Sequence, residues 1–578
     1  MKEPRSAGVS FAPLQVAGAA PRFALDDDEE QLVSAEESRL LFDDSTPHGD
    51  GDGGVADGGA AKRARLARSV STFTLKMEEQ ESWAAYRHEA GRIAALALPL
   101  TISQFFTYSL SLIALLFAGR LTEGELAAAV LATSLMSVTG FSFVLGLLGA
   151  LDTLCGQAWG AKNYKALGVY LQRAVITTLL ISALICVLWF NIEGLVLALG
   201  QEPVIAAGAA RFLRLATPAL LLAGVFECLK RYLMAQGVVT PVTAVSCAAV
   251  AAAPPLNWLF IFKLHGGLDG AAFAMVATWA LMLCMLGAFV AWHERRRAGT
   301  PMQTWHGWSR DCLNLRALWA YTKLAVPSSA MTCLEWWAYE FCIFMAGWLP
   351  NPTLHVAAMG IMLQVSGFCY MLPVGLSCAT SVRVSNALGA GLPHGARRSA
   401  YVATAITALT QASLATALVL GRNVWAAVFT SQPEVIAACA AAFPIMSASM
   451  FGDGMNATIG GVLRAAGRQA LGAALNLGSY WGVGLPTAYL LAVKAGLELR
   501  GLWGGLVTCT TLQGCICLGV LFTFKWEREA ARAADLVETT VGAGGRSDAG
   551  GGQPLCEDSA AKLHCGSRPS SSDAELPA

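Results

Sequence analysis

This chain is poor in charge. Only 14% of its 578 residues are Asp, Glu, Lys or Arg, against about 25% in soluble domains, while 55% are hydrophobic. That balance excludes an ordinary soluble globule and points to a chain that crosses a membrane many times. The formal net charge is zero, so the basic excess that would draw nucleic acid is missing. Histidine is scarce: none of the eight lies deep in a predicted span, which argues against an intramembrane haem or zinc and against an enzyme built on one. No metal and no cofactor is expected. The sixteen cysteines are scattered, several inside apolar runs such as Cys186, Cys247 and Cys369, where they act as small buried hydrophobes rather than a disulfide framework. Cys556 and Cys565 lack zinc-ligand spacing. No signal peptide is visible, since the first long apolar run begins near Ile93.

What the chain does have is a train of apolar segments, each near the roughly 20 helical residues that span a bilayer. They fall at about 93–118, 126–151, 168–190, 205–229, 238–262 and 270–292, and again at about 321–346, 354–380, 398–421, 435–460, 470–494 and 501–524. The expected fold is an all-α polytopic membrane protein with twelve transmembrane helices. It divides into a disordered tail at 1–92, a six-helix bundle at 93–292, a polar linker at 293–320, a second six-helix bundle at 321–525 and a disordered tail at 526–578. The loops after even-numbered spans hold most of the cations, including Lys162, Lys165, Arg173, Lys230, Arg231, Arg295, Arg383, Arg397, Arg398, Arg464 and Arg468. The odd loops hold Arg120, Arg211, Arg214, Lys263, Arg422, Lys494 and Arg500. By the positive-inside rule the even loops and both tails are cytoplasmic. In the first tail, EESRLL from Glu36 to Leu41 resembles an acidic dileucine signal that sorting adaptors read. Lys62, Arg63, Arg65 and Arg68 precede Ser69 and Ser71, either as a segment attracted to anionic lipid or as a phosphorylation site.

The segment 326–347, VPSSAMTCLEWWAYEFCIFMAG, is long enough to span yet carries Glu335 and Glu340 well inside it. A carboxylate at that depth is costly and usually faces a bundle interior or a water-filled path; the plain alternative is a protonated packing residue. Five helical steps turn about 140°, so the two glutamates do not share a face and have different tasks. Asp453, in MFGDGMNATIGG, is a further intramembrane acid, with Asn456 about one turn on and on the same face. Its alternative role is packing or capping beside Gly452 and Gly454. Gln104, Trp336, Tyr339, Glu340 and Asn456 are candidates to line a substrate cavity. Aromatic faces attract desolvated organic cations, though the same residue types serve as core packing or interfacial anchors. Arg383 and Asp152 read as residues at the cytoplasmic ends of spans.

The two halves echo each other about 230 residues apart. Trp159-Gly160-Ala161 matches Leu388-Gly389-Ala390, with amides Gln157 and Asn386 two residues upstream. Gly237 matches Gly467, and Gly267-Leu268-Asp269-Gly270 matches Gly501-Leu502-Trp503-Gly504. A six-span repeat keeps its orientation, which is the parallel-repeat plan of transporters that rock one bundle against the other.

The motifs TLCGQAWGAKNYKALGVYLQRA from Thr153, CLEWWAYE from Cys333, LPNP from Leu349, SVRVSNALGAG from Ser381 and GRQALGAALNLGSYWGVGLP from Gly467 resemble, in order, those of the multidrug and toxic compound extrusion (MATE) family, in its plant-type eukaryotic branch. The resemblance covers about 93–525. It implies two six-helix bundles related by a pseudo-twofold axis, and cation-coupled export of organic solutes by alternating access. It assigns proton coupling to Glu335 and to Asp453. A proton antiporter for organic cations or plant-type metabolites follows, with sodium coupling as the near variant. A lipid-linked or polysaccharide flippase of the wider superfamily is the distant one, set aside because few Lys or Arg lie deep in the predicted spans. The expected partners are a small organic solute, the lipid bilayer and an adaptor at Glu36–Leu41, for a monomer in a vacuolar, endosomal or plasma membrane.

Overall fold

A computed structural model of the chain describes residues 83–198 and 200–542. Within them there are helices and turns and no strand. Ten helices are long and apolar enough to cross a membrane: α1 (Trp83–Ala118), α2 (Glu123–Gly160), α3 (Tyr164–Phe190), α4 (Pro203–Ala235), α5 (Thr240–Lys263), α6 (Gly267–Arg297), α8 (Pro352–Gly389), α9 (Pro393–Leu420), α10 (Pro433–Ala465) and α12 (Glu498–Thr523). Two more complete the two sets of six. The first, α7 (Leu315–Ala346), is less apolar because it gives positions to Ser328, Ser329, Glu335 and Glu340. The second, α11 (469–494), changes its hydrogen-bond ladder to π turns at Leu477–Gly484 and Leu490–Lys494. Such turns concentrate at functional sites.

Local chemistry sets the ends of these helices. Thr122 and Glu125 form a capping box at the start of α2. The Asn314 side chain accepts from the Arg316 and Ala317 amides at the start of α7. Proline stands in the first turn of α4, α8, α9 and α10, where its missing N–H costs nothing. The glycines of the sequence repeat now have a physical meaning. Gly237 (φ +73°) and Gly467 (φ +70°) take the left-handed conformation just past α4 and α10. A Cβ on Gly270 would meet the Phe260 carbonyl at 2.3 Å, and one on Gly501 would meet the Ala492 amide at 2.4 Å. These glycines therefore let α6 and α12 lie against the π-turned ends of α5 and α11.

Helices α1–α6 enclose Trp189, Phe212, Phe226 and Tyr232, all fully buried, and α7–α12 enclose Phe443, Tyr480 and Trp503. The bundles meet along two seams. In one, α1 lies on α8, where Tyr108 donates to Gln364 Oε1 at 2.9 Å and the Gly375 backbone packs against Thr101. In the other, α2 lies on α7, where Gly146 packs against the Ser329 backbone and Trp337 Nε1 donates to the Val138 carbonyl at 3.1 Å. The start of α1, the end of α8 and the start of α9 meet at what is here termed the tail end: Arg383 holds Glu89 through two bonds of 2.9 and 2.6 Å, and Ser399 donates to Glu89 at 2.6 Å.

Several sequence expectations are corrected. Residues 83–92 belong to α1 rather than to a disordered tail. The second tail, expected to be disordered from 526, begins instead with helix α13 (Trp526–Gly542). Its Trp526, Ala530, Ala533 and Val537 are buried at helical spacing, an apolar stripe that a charged composition hides. The linker is shorter than 293–320: α6 runs to Arg297 and α7 starts at Leu315. Glu294 ties the intervening loop down by accepting from Thr304 Oγ1 at 2.7 Å and from the Trp305 amide at 3.0 Å. Arg173, Lys230, Arg231, Arg383 and Arg464, assigned to loops, lie within spanning helices. The Glu36–Leu41 signal, the basic cluster at Lys62–Arg68, Cys556 and Cys565 lie outside the described residues.

Candidate functional site

The second bundle holds a buried polar cluster built from five helices. Glu335 projects from α7, and Tyr370 of α8 donates to its Oε1 at 2.6 Å. The Asn476 amide of α11 lies beside it; that side chain donates to the Met331 carbonyl at 2.6 Å and accepts from Gln513 of α12 at 2.7 Å. One turn further along α7, Tyr339 donates to Asp453 Oδ2 of α10 at 2.6 Å, and Tyr480 of α11 donates to Oδ1 at 3.3 Å. The two carboxyl groups lie within electrostatic reach of each other, and Arg464 lies within reach of Glu335. Among the described residues neither acid forms an ion pair; each is held by tyrosine hydroxyls. Such hydrogen bonds to a carboxylate are the strong kind.

Sequence explains why Asp453 can sit so deep. Its neighbour Gly452 abuts Thr510 of α12, and Gly454 abuts the Gln411 side chain of α9, so α10 is gripped closely on both sides of the acid. Asn456 is one turn on from Asp453, as expected, and donates to the Thr510 carbonyl at 3.2 Å. It thus ties α10 to α12.

The structure sorts the remaining candidates. Tyr339 is a hydrogen-bond partner of Asp453. Glu340 faces elsewhere, accepting from Ser134 of α2 at 3.3 Å across the seam, which matches the turn angle expected between the two glutamates. Trp336 is partly exposed on α7, with no polar bond to the cluster. Gln104 belongs to another group: Lys230 of α4 donates to its Oε1 at 2.9 Å and to Glu227 at 2.9 Å. Beside that group, Arg231 is paired with Asp152. The spans therefore hold more buried cations than their hydropathy suggested. Lys230 and Arg231 were placed in a loop because α4 continues six residues past the end of its apolar run. Tyr370, Tyr480, Asn476 and Gln513 were missed because no spacing in the chain brings them to Glu335 and Asp453. Among the described residues no group of three or more His, Cys, Asp or Glu could hold a metal ion.

Two pseudo-symmetric sets of six helices, with charged groups buried inside each, make up a polytopic membrane protein. The MatE family model matches residues 99–259 and 327–490, one stretch in each bundle. The chain is 37% identical over 446 residues to Protein DETOXIFICATION 16 of Arabidopsis thaliana, covering 77% of this chain and 90% of that one. It is 35% identical over 450 residues to Multidrug and toxin extrusion protein 2 of Mus musculus, covering 77% and 76% respectively. The crystal structure of the eukaryotic MATE transporter AtDTX14 superposes with a TM-score of 0.74 at 31% identity, covering 78% of this chain and 99% of that one. The chain belongs to the MATE family of multidrug and toxin extrusion transporters, in its plant-type branch.

Proposed function

We propose that this transporter exports organic solutes, cationic or amphipathic, in exchange for protons. The observation that carries the reading is the chemistry of the acid pair. Glu335, half-buried, and Asp453, buried, are acids held by hydroxyls rather than by a cation. A proton can therefore be added to or lost from either without breaking an ion pair. When anionic, the pair attracts a cationic solute; when protonated, it releases its hold. Proton and solute then exclude each other, which makes the exchange obligatory. Tyr339 and Tyr370 orient the carboxylates, and Asn476 and Gln513 hold that side of the site in place.

In this reading the tail end faces the cytoplasm, as the cation-rich loops suggest, and protons enter from the opposite side. The protein acts as a monomer without a resident cofactor, in a vacuolar or endosomal membrane to which Glu36–Leu41 directs it through a sorting adaptor. The test uses purified protein in liposomes, an imposed pH gradient and a fluorescent organic cation. Wild type should accumulate the dye against its gradient, and Glu335→Gln should lose gradient-driven uptake. Full uptake in Glu335→Gln, or uptake driven by sodium and indifferent to pH, would overturn the reading.

A further inference from the structure

The matched amides of the two repeats are not used by the coupling chemistry, yet the structure gives them a common task. At the tail end, Gln157 of α2 donates through Nε2 to the Ala465 carbonyl at 2.9 Å. Asn386 of α8, its counterpart in the second repeat, donates through Nδ2 to the Ala235 carbonyl at 3.3 Å. Ala235 and Ala465 are the last residues of α4 and α10, and carbonyls at a helix end lack intrahelical partners. Each bundle therefore caps the final turn of a helix in the other. The glycines three residues on are just as reciprocal. A Cβ on Gly160 would stand 2.0 Å from the Asn386 carbonyl oxygen, and one on Gly389 would stand 2.0 Å from that of Gln157. Between them, Gly156 faces Ser385, again equivalent positions of the repeat, so the pseudo-twofold axis runs through this interlock. Both amides also leave their own oxygen buried without a hydrogen-bond partner, a cost carried by the closed arrangement alone.

We infer that Gln157 and Asn386, with Gly160 and Gly389, form a twofold-symmetric gate that closes the tail end of the transport path. The two donor bonds break together when the bundles rock apart at this end. The freed carbonyls and amides then pass to water, which also relieves the two unpartnered oxygens, so the gate is closed without being locked. The glycines admit the backbone contact that lets the amides reach. This inference rests on alternating access between the bundles and not on Glu335 as the coupling group, so its failure leaves the coupling scheme standing.

The experiment places spin labels at Lys162→Cys, on the exposed turn after α2, and at His394→Cys, exposed in the first turn of α9. The full chain is used, with Cys247, Cys284, Cys515, Cys556 and Cys565 replaced by Ser, in nanodiscs. Pulsed electron resonance gives the ratio of tail-open to tail-closed distances. Gln157→Ala and Asn386→Ala should each raise that ratio about 5-fold, and the double variant about 25-fold. Gly160→Ala or Gly389→Ala should abolish the closed population. Gln157→Met and Asn386→Leu keep side-chain volume without the donor, and serve where an alanine variant does not yield monodisperse protein. A ratio unchanged from the parent in either donor-free variant would overturn the gate, as would a closed population that survives both glycine substitutions.

Discussion

Helix α13 offers the sharpest quantitative test of the packing argument. Trp526 is buried beside Phe524, with ring centroids 4.9 Å apart, in an apolar cluster that includes Leu521 and Val384 of the second bundle. Removing a buried Trp side chain costs about 3–5 kcal/mol. A 17-residue helix is marginal on its own in water, so a loss of that size should detach α13 rather than unfold the bundle. At about 1.4 kcal/mol per tenfold, Trp526→Ala should speed amide exchange across 527–537 by roughly a hundredfold or more, leaving α10 and α12 protected. The neighbouring ion pair provides the scale. Arg468 donates through Nε to both Glu529 oxygens at 3.2 and 3.1 Å, and this bonding holds the guanidinium above its ordinary pKa. Arg468 is nonetheless 42% exposed, so Glu529→Gln should cost only about 1 kcal/mol, or roughly 5-fold in exchange. Hydrogen exchange with mass spectrometry in nanodiscs measures both. Unchanged exchange in Trp526→Ala would refute the claim that tertiary burial holds this helix, and an equal response in the two variants would refute the ranking.

Three further outcomes follow from the two buried clusters and from one close helix contact. Tyr339→Phe removes a bond of 2.6 Å to Asp453, and Tyr480→Phe removes one of 3.3 Å. Hydrogen bonds to charged groups contribute about 1.5–3 kcal/mol, so Tyr339→Phe should slow gradient-driven uptake roughly tenfold or more, and Tyr480→Phe measurably less. Lys230→Gln strands the Glu227 charge and should cost about 3–5 kcal/mol, whereas Lys230→Met with Glu227→Leu should recover most of that stability; thermal unfolding in detergent decides, and a double variant no better than the single one contradicts it. A Cβ on Gly505 would lie 2.4 Å from that of Ala488, so Gly505→Ala should lower the unfolding midpoint by the equivalent of about 1–3 kcal/mol, with α11 the element displaced.

What could be read from the chain alone follows from the range of each physical signal. Spans were legible because a bilayer imposes one length and one hydropathy on every crossing, and the second bundle was legible because the repeat reuses the same glycines for the same turns. Glu335 and Asp453 stood out for the same reason: a carboxylate inside an apolar helix breaks a local rule, and one letter suffices to show it. Their partners break no rule. Tyr370 and Tyr480 are ordinary residues for a membrane helix, and only the packing of α8 and α11 against α7 and α10 turns them into ligands of the acids. Lys230 and α13 show the opposite error, in which a strong local signal misleads. Lys230 stands where hydropathy stops, yet the helix does not stop there, because Glu227 and Gln104 supply the polar partners that let a charge remain inside. Trp526 opens a stretch too charged to be read as core, yet every third or fourth side chain is buried on the bundle. The end of an apolar run thus marks where lipid contact ends, and it leaves open where protein contact ends. In this chain the groups that tie the two bundles together at the tail end, Glu89 with Arg383 and the amides of Gln157 and Asn386, lie in the interval between the two.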